Sequence, residues 1–190
     1  MNHTPQIKKA IQFAARKHHG HLRIETGPLP YITHLFSTAL LVAEDGASDD
    51  IVTAALLHDT IEDTGTSREE IVEAFNEHVA GLVESVSERK EVDGQKLDWK
   101  ERKTGYLARL ENADADAVLI AVADKVDNIE SKLETFAKVG AALHQGWKQP
   151  PEEYLWYHGE VLRIAQARLP DHPLTKRLAE VHAKEKETFA

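Results

Sequence analysis

The segment AVLIAVADKVDNIESKLETF, residues 117–136, limits the folds open to this chain more than any other. Its apolar start could form a buried strand on propensity alone. Val118, Ala121, Val122, Lys125, Val126 and Ile129, however, keep a helical period well past the length of a strand. The segment is therefore expected to be a long buried helix starting at Asp114 or Asp116. Asp124 falls in its apolar part, where an unpaired carboxylate is costly.

Helical spacing recurs along the chain. Thr4 can cap a first helix with Pro5 at its first position, and that helix should stop near Gly20. After the loop LRIETGPLPYITH, Leu35, Ala39, Leu40 and Val42 predict a second helix ending near Gly46. Ser48 or Asp49 can cap a third, which carries Ile51 to Leu57 and reaches Ile61 before Gly65 breaks it. Thr66 with Glu69 three residues later matches a capping box, opening a fourth helix through Phe75, and Val79 to Val86 continues helically. SERKEVDGQKLD (87–98) is polar and is read as an exposed loop. Helices are expected from Trp99 to Leu110 and near 152–168 and 173–187, so the class is all-α.

A chain of 190 residues, 42% hydrophobic, can fill one core and is short for two domains. The expectation is a single domain over 1–190, with its motif-bearing core at about 5–137 and C-terminal helices at about 150–188. With no cysteine, metal ligands must come from His, Asp or Glu. A formal charge of −9 argues against tracking nucleic acid but leaves room for a small phosphorylated ligand held by local cations. The first 20 residues lack the apolar core of a signal peptide, and no stretch approaches ~18 apolar residues, so a cytoplasmic protein with no membrane partner is expected. Oligomeric state is not inferable.

Chemistry concentrates in AALLHDTIEDT, residues 54–64. On a continuous helix, His58, Asp59, Glu62 and Asp63 would fall within an arc roughly 140° wide. Three carboxylates and an imidazole so placed repel unless protonated or neutralised by a cation. A divalent metal does this most simply, with ligands drawn from His58, Asp59, a second His and a second Asp. His34, in PYITH, and Asp124 supply that second pair, and Asn128 shares a helix face with Asp124. A bound ion would polarise a phosphoryl oxygen and lower the pKa of water. A carboxylate one turn beyond the ligands could reach that water.

HHGHLRIETGPLPYITH (18–34), AALLHDTIEDT, WKERK (99–103) and VADKVDNIES (122–131), in that order, make the chain resemble the HD metal-dependent phosphohydrolases. Within them it is similar to the hydrolase domains of RelA/SpoT-type enzymes and the small alarmone hydrolases. The resemblance spans most of residues 10–135, and its complete spacing is far more specific than the His-Asp pair alone. It implies a compact HD-domain bundle, in keeping with about 8–10 helices by periodicity. It also implies one divalent ion, usually Mn²⁺, and hydrolysis of (p)ppGpp or a related alarmone at its 3′ position to give pyrophosphate and a nucleotide.

By matching positions, His34, His58, Asp59 and Asp124 would hold the metal, Glu62 and Asp63 would position and deprotonate water, and Asn128 would contact the nucleotide. Arg23 is the leading phosphate contact by motif, followed by Lys100, Arg102 and Lys103, with Tyr154 a further substrate candidate. Mixed imidazole and carboxylate ligands favour Mn²⁺ without excluding Zn²⁺, Fe²⁺ or Co²⁺.

The chain departs from the family pattern at Ile24, where a basic residue is common, in the longer Gly27-Pro28-Leu29-Pro30 loop, and at Asp127, where His or an aromatic is frequent. Guanine or adenine alarmone therefore stays open, as do a nucleotidase, an NADPH phosphatase and a non-catalytic nucleotide- or partner-binding module. The direction of Asp127 is undecided. His18, His19 and His21 read as a solvated helix end, and His3, His78, His144, His158, His172 and His182 as surface residues. Tyr154, Trp156 and Tyr157 fit core or interface positions better than a stacking platform.

Overall fold

Thr4 sets the first helix: its side chain accepts from the Ile7 N–H, Pro5 follows, and α1 runs Pro5–Lys17. The computed structural model describes residues 3–23, 29–44 and 46–190; Ile24 and Gly27-Pro28 lie outside the described residues. Leu22–Arg23 (β1) and Leu29–Pro30 (β2) form a short antiparallel pair. It leads into α2, Ile32–Glu44. Ser48 caps α3, Asp49–Leu57, where every residue from Ile51 to Leu57 is buried.

The helix expected to continue to Ile61 is interrupted at His58-Asp59 and restarts as α4, Thr60–Thr64. His58 Nδ1 donates to the Ala55 carbonyl at 2.8 Å, the acceptor that the Asp59 N–H would take in a continuous helix. Asp59 itself has φ −94° and ψ −1°. Gly65, at φ 68°, closes α4 in the left-handed region that favours glycine.

The next cap also differs from expectation by one residue. Thr66 is buried and bonded to the Thr64 hydroxyl at 2.7 Å. Ser67 therefore caps α5 (Arg68–Ala74), completing its box with Glu70 rather than Glu69. Asn76 caps a separate α6, Glu77–Ser85. The segment read as a loop is a small hairpin, Glu91–Val92 (β3) with Gln95–Lys96 (β4), exposed as expected. Its two-residue turn puts Asp93 and Gly94 at φ 49° and 77°.

Asp98 and Glu101 form a capping box for α7, Trp99–Asn112. Residues 117–136 lie within α8, Ala115–Val139, helical throughout. A 3₁₀ stretch, Gly140–Gly146, precedes α9 (Pro151–Arg168) and α10 (Pro173–Phe189). The all-α class is borne out, with ten α-helices among the described residues. Of these, none is long and apolar enough to cross a membrane.

The long helix α8 packs against α2, α3, α9 and α10, and α3 also meets α1, α2 and α6. Leu35, Leu56, Leu57, Ile120, Ile129, Ile164 and Leu178 are fully buried in the resulting core. Each such side chain contributes ~1.5–3 kcal/mol by leaving water. That packing brings the start of α2, the α3–α4 junction and the middle of α8 together.

Candidate active site

His34 from α2, His58 and Asp59 from the α3–α4 junction, and Asp124 from α8 converge on one point. The two imidazole Nε2 atoms lie 3.1 Å apart. His34 Nε2 is 3.2 Å from Asp124 Oδ1 and 3.6 Å from Asp59 Oδ2, and His58 Nε2 is 3.1 Å from Asp59 Oδ2. Donor atoms of His34, His58 and Asp59 all fall within 4.8 Å of one another, a group able to hold a metal ion.

The outer hydrogen bonds fix what the inner atoms offer. His58 Nδ1 faces a carbonyl and His34 Nδ1 faces the Asp127 carboxylate at 2.6 Å, so both Nδ1 atoms carry the proton. A neutral ring then turns an Nε2 lone pair inward, toward two carboxylates. Lone pairs packed this closely repel unless a cation lies among them, and the donor set of two imidazoles and two carboxylates suits a divalent ion. The residues therefore fit the group that the family resemblance implies.

Electrostatics agree. Burial opposes charge on His58, but Asp59 and Asp124 outweigh it and hold its pKa well above the ordinary imidazole value. Burial likewise opposes charge on Asp124, yet Lys125 and both imidazoles keep its carboxyl well below the usual range. The site is a place where positive charge is favoured.

Asp127 was undecided from sequence and faces inward. Besides His34, its Oδ2 accepts from Arg23 at 2.6 Å, and Arg23 also reaches Asn128 Oδ1 at 2.9 Å. Asn128 in turn donates to Asp124. The Tyr31 hydroxyl donates to Asp59 at 2.6 Å.

Beyond the cluster, Glu62 is largely buried, and its carboxyl is pushed up to about 7 by burial and by the Asp59, Glu88 and Asp63 carboxylates. Asp63 is more exposed and accepts from Lys90 at 2.9 Å. The polar segment 87–98 thus supplies two groups that sequence reading missed, Lys90 and the buried Glu88, whose N–H donates to Glu62 at 3.2 Å.

Three cavities meet here. One of about 120 Å³ covers the cluster and is lined by His34, Asp59, Glu62, Asp63 and Asp124. A larger one of about 450 Å³ lies toward Arg23, Tyr31 and Lys148. A third, about 160 Å³, is bounded by Lys103, Lys125, Lys132, Tyr154 and Tyr157. Asn128 lines all three.

The sequence-predicted cations divide. Arg23 and Lys103 line cavities, as does Tyr154. Arg102 is paired with Glu88 at 3.1 Å. Lys100 is paired with Glu153 at 2.6 Å above the Trp156 ring and lines none of the three. Lys125 and Lys132 were not foreseen as site residues, although both interrupt the apolar face of α8 seven residues apart.

Several histidines correct the surface reading. His18 is buried and stacked on Tyr31 at 5.2 Å. His158 and His182 are also buried, donating through Nδ1 to Glu185 at 2.8 and 2.9 Å. For His158 that carboxylate lies on a neighbouring helix, invisible to local periodicity, whereas for His182 it lies one turn along the same helix.

A model of the HD domain family matches residues 10–144. A guanosine-3′,5′-bis(diphosphate) 3′-pyrophosphohydrolase of Aquifex aeolicus is 39% identical over 129 residues, covering 68% of this chain but 18% of that protein. The human protein of that name, MESH1, is 32% identical over 164 residues and 85% of each chain. Among solved structures, one described as a metazoan ortholog of SpoT that hydrolyzes ppGpp superposes with TM-score 0.79 and 26% identity over 97% of both chains. A Listeria monocytogenes structure gives TM-score 0.71 and 25% identity over 80% of this chain and 97% of its own. Sequence, fold and the His34/His58-Asp59/Asp124 arrangement agree: the chain belongs to the HD domain family.

Proposed function

We propose that this protein is a divalent-metal-dependent pyrophosphohydrolase, one hydrolase domain acting in the cytoplasm on the 3′-diphosphate of (p)ppGpp-type alarmones. Its products would be inorganic diphosphate and GDP or GTP. The observation that carries this reading is the inward convergence of four metal-competent donors beside Glu62, whose carboxyl titrates at about 7. The names of the relatives supply the substrate class.

In this reading His34, His58, Asp59 and Asp124 hold the ion, with Mn²⁺ the preferred metal. When bound, the ion supplies Lewis acidity at a phosphoryl oxygen and eases deprotonation of water. Glu62 takes a proton from the attacking water, a task for which a pKa near neutrality is suited. Asp63, held by Lys90, orients that water. The water oxygen adds to the phosphorus carried by the ribose 3′ oxygen, the P–O3′ bond breaks, and the 3′ oxygen receives a proton. Arg23, Asn128 and Lys148 hold the nucleotide in the 450 Å³ cleft, which has the volume for a nucleoside.

Purified protein with Mn²⁺ should convert ppGpp and pppGpp to GDP and GTP with one diphosphate released per turnover. A panel adding ppApp, deoxynucleoside monophosphates and NADPH tests base preference and the phosphatase alternatives. Turnover of monophosphates alone would discard the alarmone reading.

A further inference from the structure

Three ammonium groups stand around Glu62: Lys90 from the segment after α6, Lys103 from α7 and Lys125 from α8. Lys103 and Lys125 line the 120 Å³ cavity with it, and Lys90 approaches its carboxylate to 3.5 Å. A carboxylate held by an ammonium loses proton affinity and is a poorer general base. Each lysine, however, has another acid as its hydrogen-bond partner. Lys90 meets Asp63 at 2.9 Å, Lys125 meets Asp124, and Lys103 meets Glu88.

Asp63 and Asp124 have duties of their own at the water and the metal. Glu88 has none there, yet its side chain is only 4% exposed, a setting in which a carboxylate is costly unless paired. Its Oε1 accepts from Lys103 and its Oε2 from Arg102 at 3.1 Å, so it takes up two neighbouring cations of α7. Its own N–H donates to Glu62 Oε2 at 3.2 Å. Burial and the nearby Lys125 work against charge on Lys103; Glu88 opposes them first among the carboxylates, and Glu62 comes next. With Glu88 uncharged, Glu62 is the acid left for Lys103 to meet.

We infer that Glu88 is a positioning residue for hydrolysis: its carboxylate holds Lys103 off Glu62 while its N–H orients Glu62, which leaves Glu62 able to take a proton from water. One residue thus acts on the base twice, through its main chain and through the cation it occupies. The inference rests on the assignment of Glu62 as the base of the proposed hydrolase.

The test is a double-variant cycle of the Mn²⁺-loaded protein acting on ppGpp and on a chromogenic diester, bis(p-nitrophenyl) phosphate. Its members are wild type, Glu88→Gln, Lys103→Gln and the two changes together. Glu88→Gln keeps the N–H and the side-chain shape but releases Lys103, and should lower kcat about tenfold or more with Mn²⁺ affinity unchanged. In the Lys103→Gln background the same change should lower kcat by about twofold or less, since that ammonium is gone. If Glu88→Gln does not fold, Glu88→Asp, which keeps the charge but draws it back from α7, should lower kcat about threefold, again only while Lys103 is present. An unchanged kcat in a folded Glu88 variant, or equal losses in both backgrounds, overturns the role; so does wild-type protein that turns over neither substrate. Full activity of Glu62→Gln would defeat the base assignment and this inference with it. A Lys103-dependent loss on the diester without hydrolysis of ppGpp would retain the role of Glu88 and defeat the alarmone reading instead.

Discussion

Asp127 stands one residue before Asn128 on α8, and its Oδ2 accepts from His34 Nδ1 and from Arg23, both at 2.6 Å. It holds one imidazole in the tautomer a metal needs and restrains the guanidinium expected to meet phosphate. Asp127→Asn keeps the shape but removes the charge, and should weaken Mn²⁺ binding about 10–100-fold. Titration of free Mn²⁺ by electron paramagnetic resonance measures this; an unchanged affinity would refute the positioning role. Glu62→Gln should abolish turnover with Mn²⁺ still bound. Because Glu62 is held at about 7, above the usual carboxyl value, it is protonated and unfit as a base on the acid side. Wild-type kcat/KM should accordingly fall as pH drops below about 7, and a flat profile from about pH 5 to 8 would remove Glu62 from the base role. The spacing of His34, His58-Asp59 and Asp124 was legible in the sequence because His34 and Asp124 lie in apolar helices and His58-Asp59 directly follows the apolar run of α3. Asp127 was not, since its partners lie on α2 and in β1.

At the scale of elements, most helices were legible from period and caps, and the misses share a cause. The α3–α4 break, the shifted cap at Ser67 and the burial of Glu88 all depend on side chains bonding where local pattern does not look: His58 to Ala55, Thr66 to Thr64, Glu88 to Arg102 and Lys103. The cap can be tested. Ser67→Ala should cost ~1 kcal/mol in urea unfolding, whereas Glu69→Ala, on the exposed face, should stay within ~0.5 kcal/mol. Equal costs would return the cap to Thr66. The hairpin shows the other side of legibility: Asp93-Gly94 is a hairpin signal between Val92 and Gln95, but strands of two residues leave little alternation to read. Yet that short hairpin carries Lys90 at its base, against Glu62 and Asp63.

Across the whole molecule, the C-terminal helices are tied by charge as well as by the core. Glu185 on α10 accepts from His158 on α9, and burial holds His158 down at about 4. Its unfolded value is higher, so below about pH 6.5 the unfolded chain gains a proton that the folded one refuses. Stability from this group is therefore lost from about pH 6.5 down to about pH 4, by about 3 kcal/mol at most. Glu185, held at about 2 by the two imidazoles despite burial, adds a second loss below its usual carboxyl range. Urea midpoints measured across this range should fall in wild type and flatten in His158→Gln over the upper part; parallel curves would exclude His158. The donors of the candidate metal site have a different global consequence. They come from α2, the α3–α4 junction and α8, which meet only once these helices have docked. An unfolded chain has no such site, so the ion works as a clasp on the native topology. At ~100 times its dissociation constant it would add ~2.7 kcal/mol of stability, visible as a rise in Tm. A chelator would then act on this protein as a denaturant, and metal supply would govern how many copies survive as well as how fast each one works.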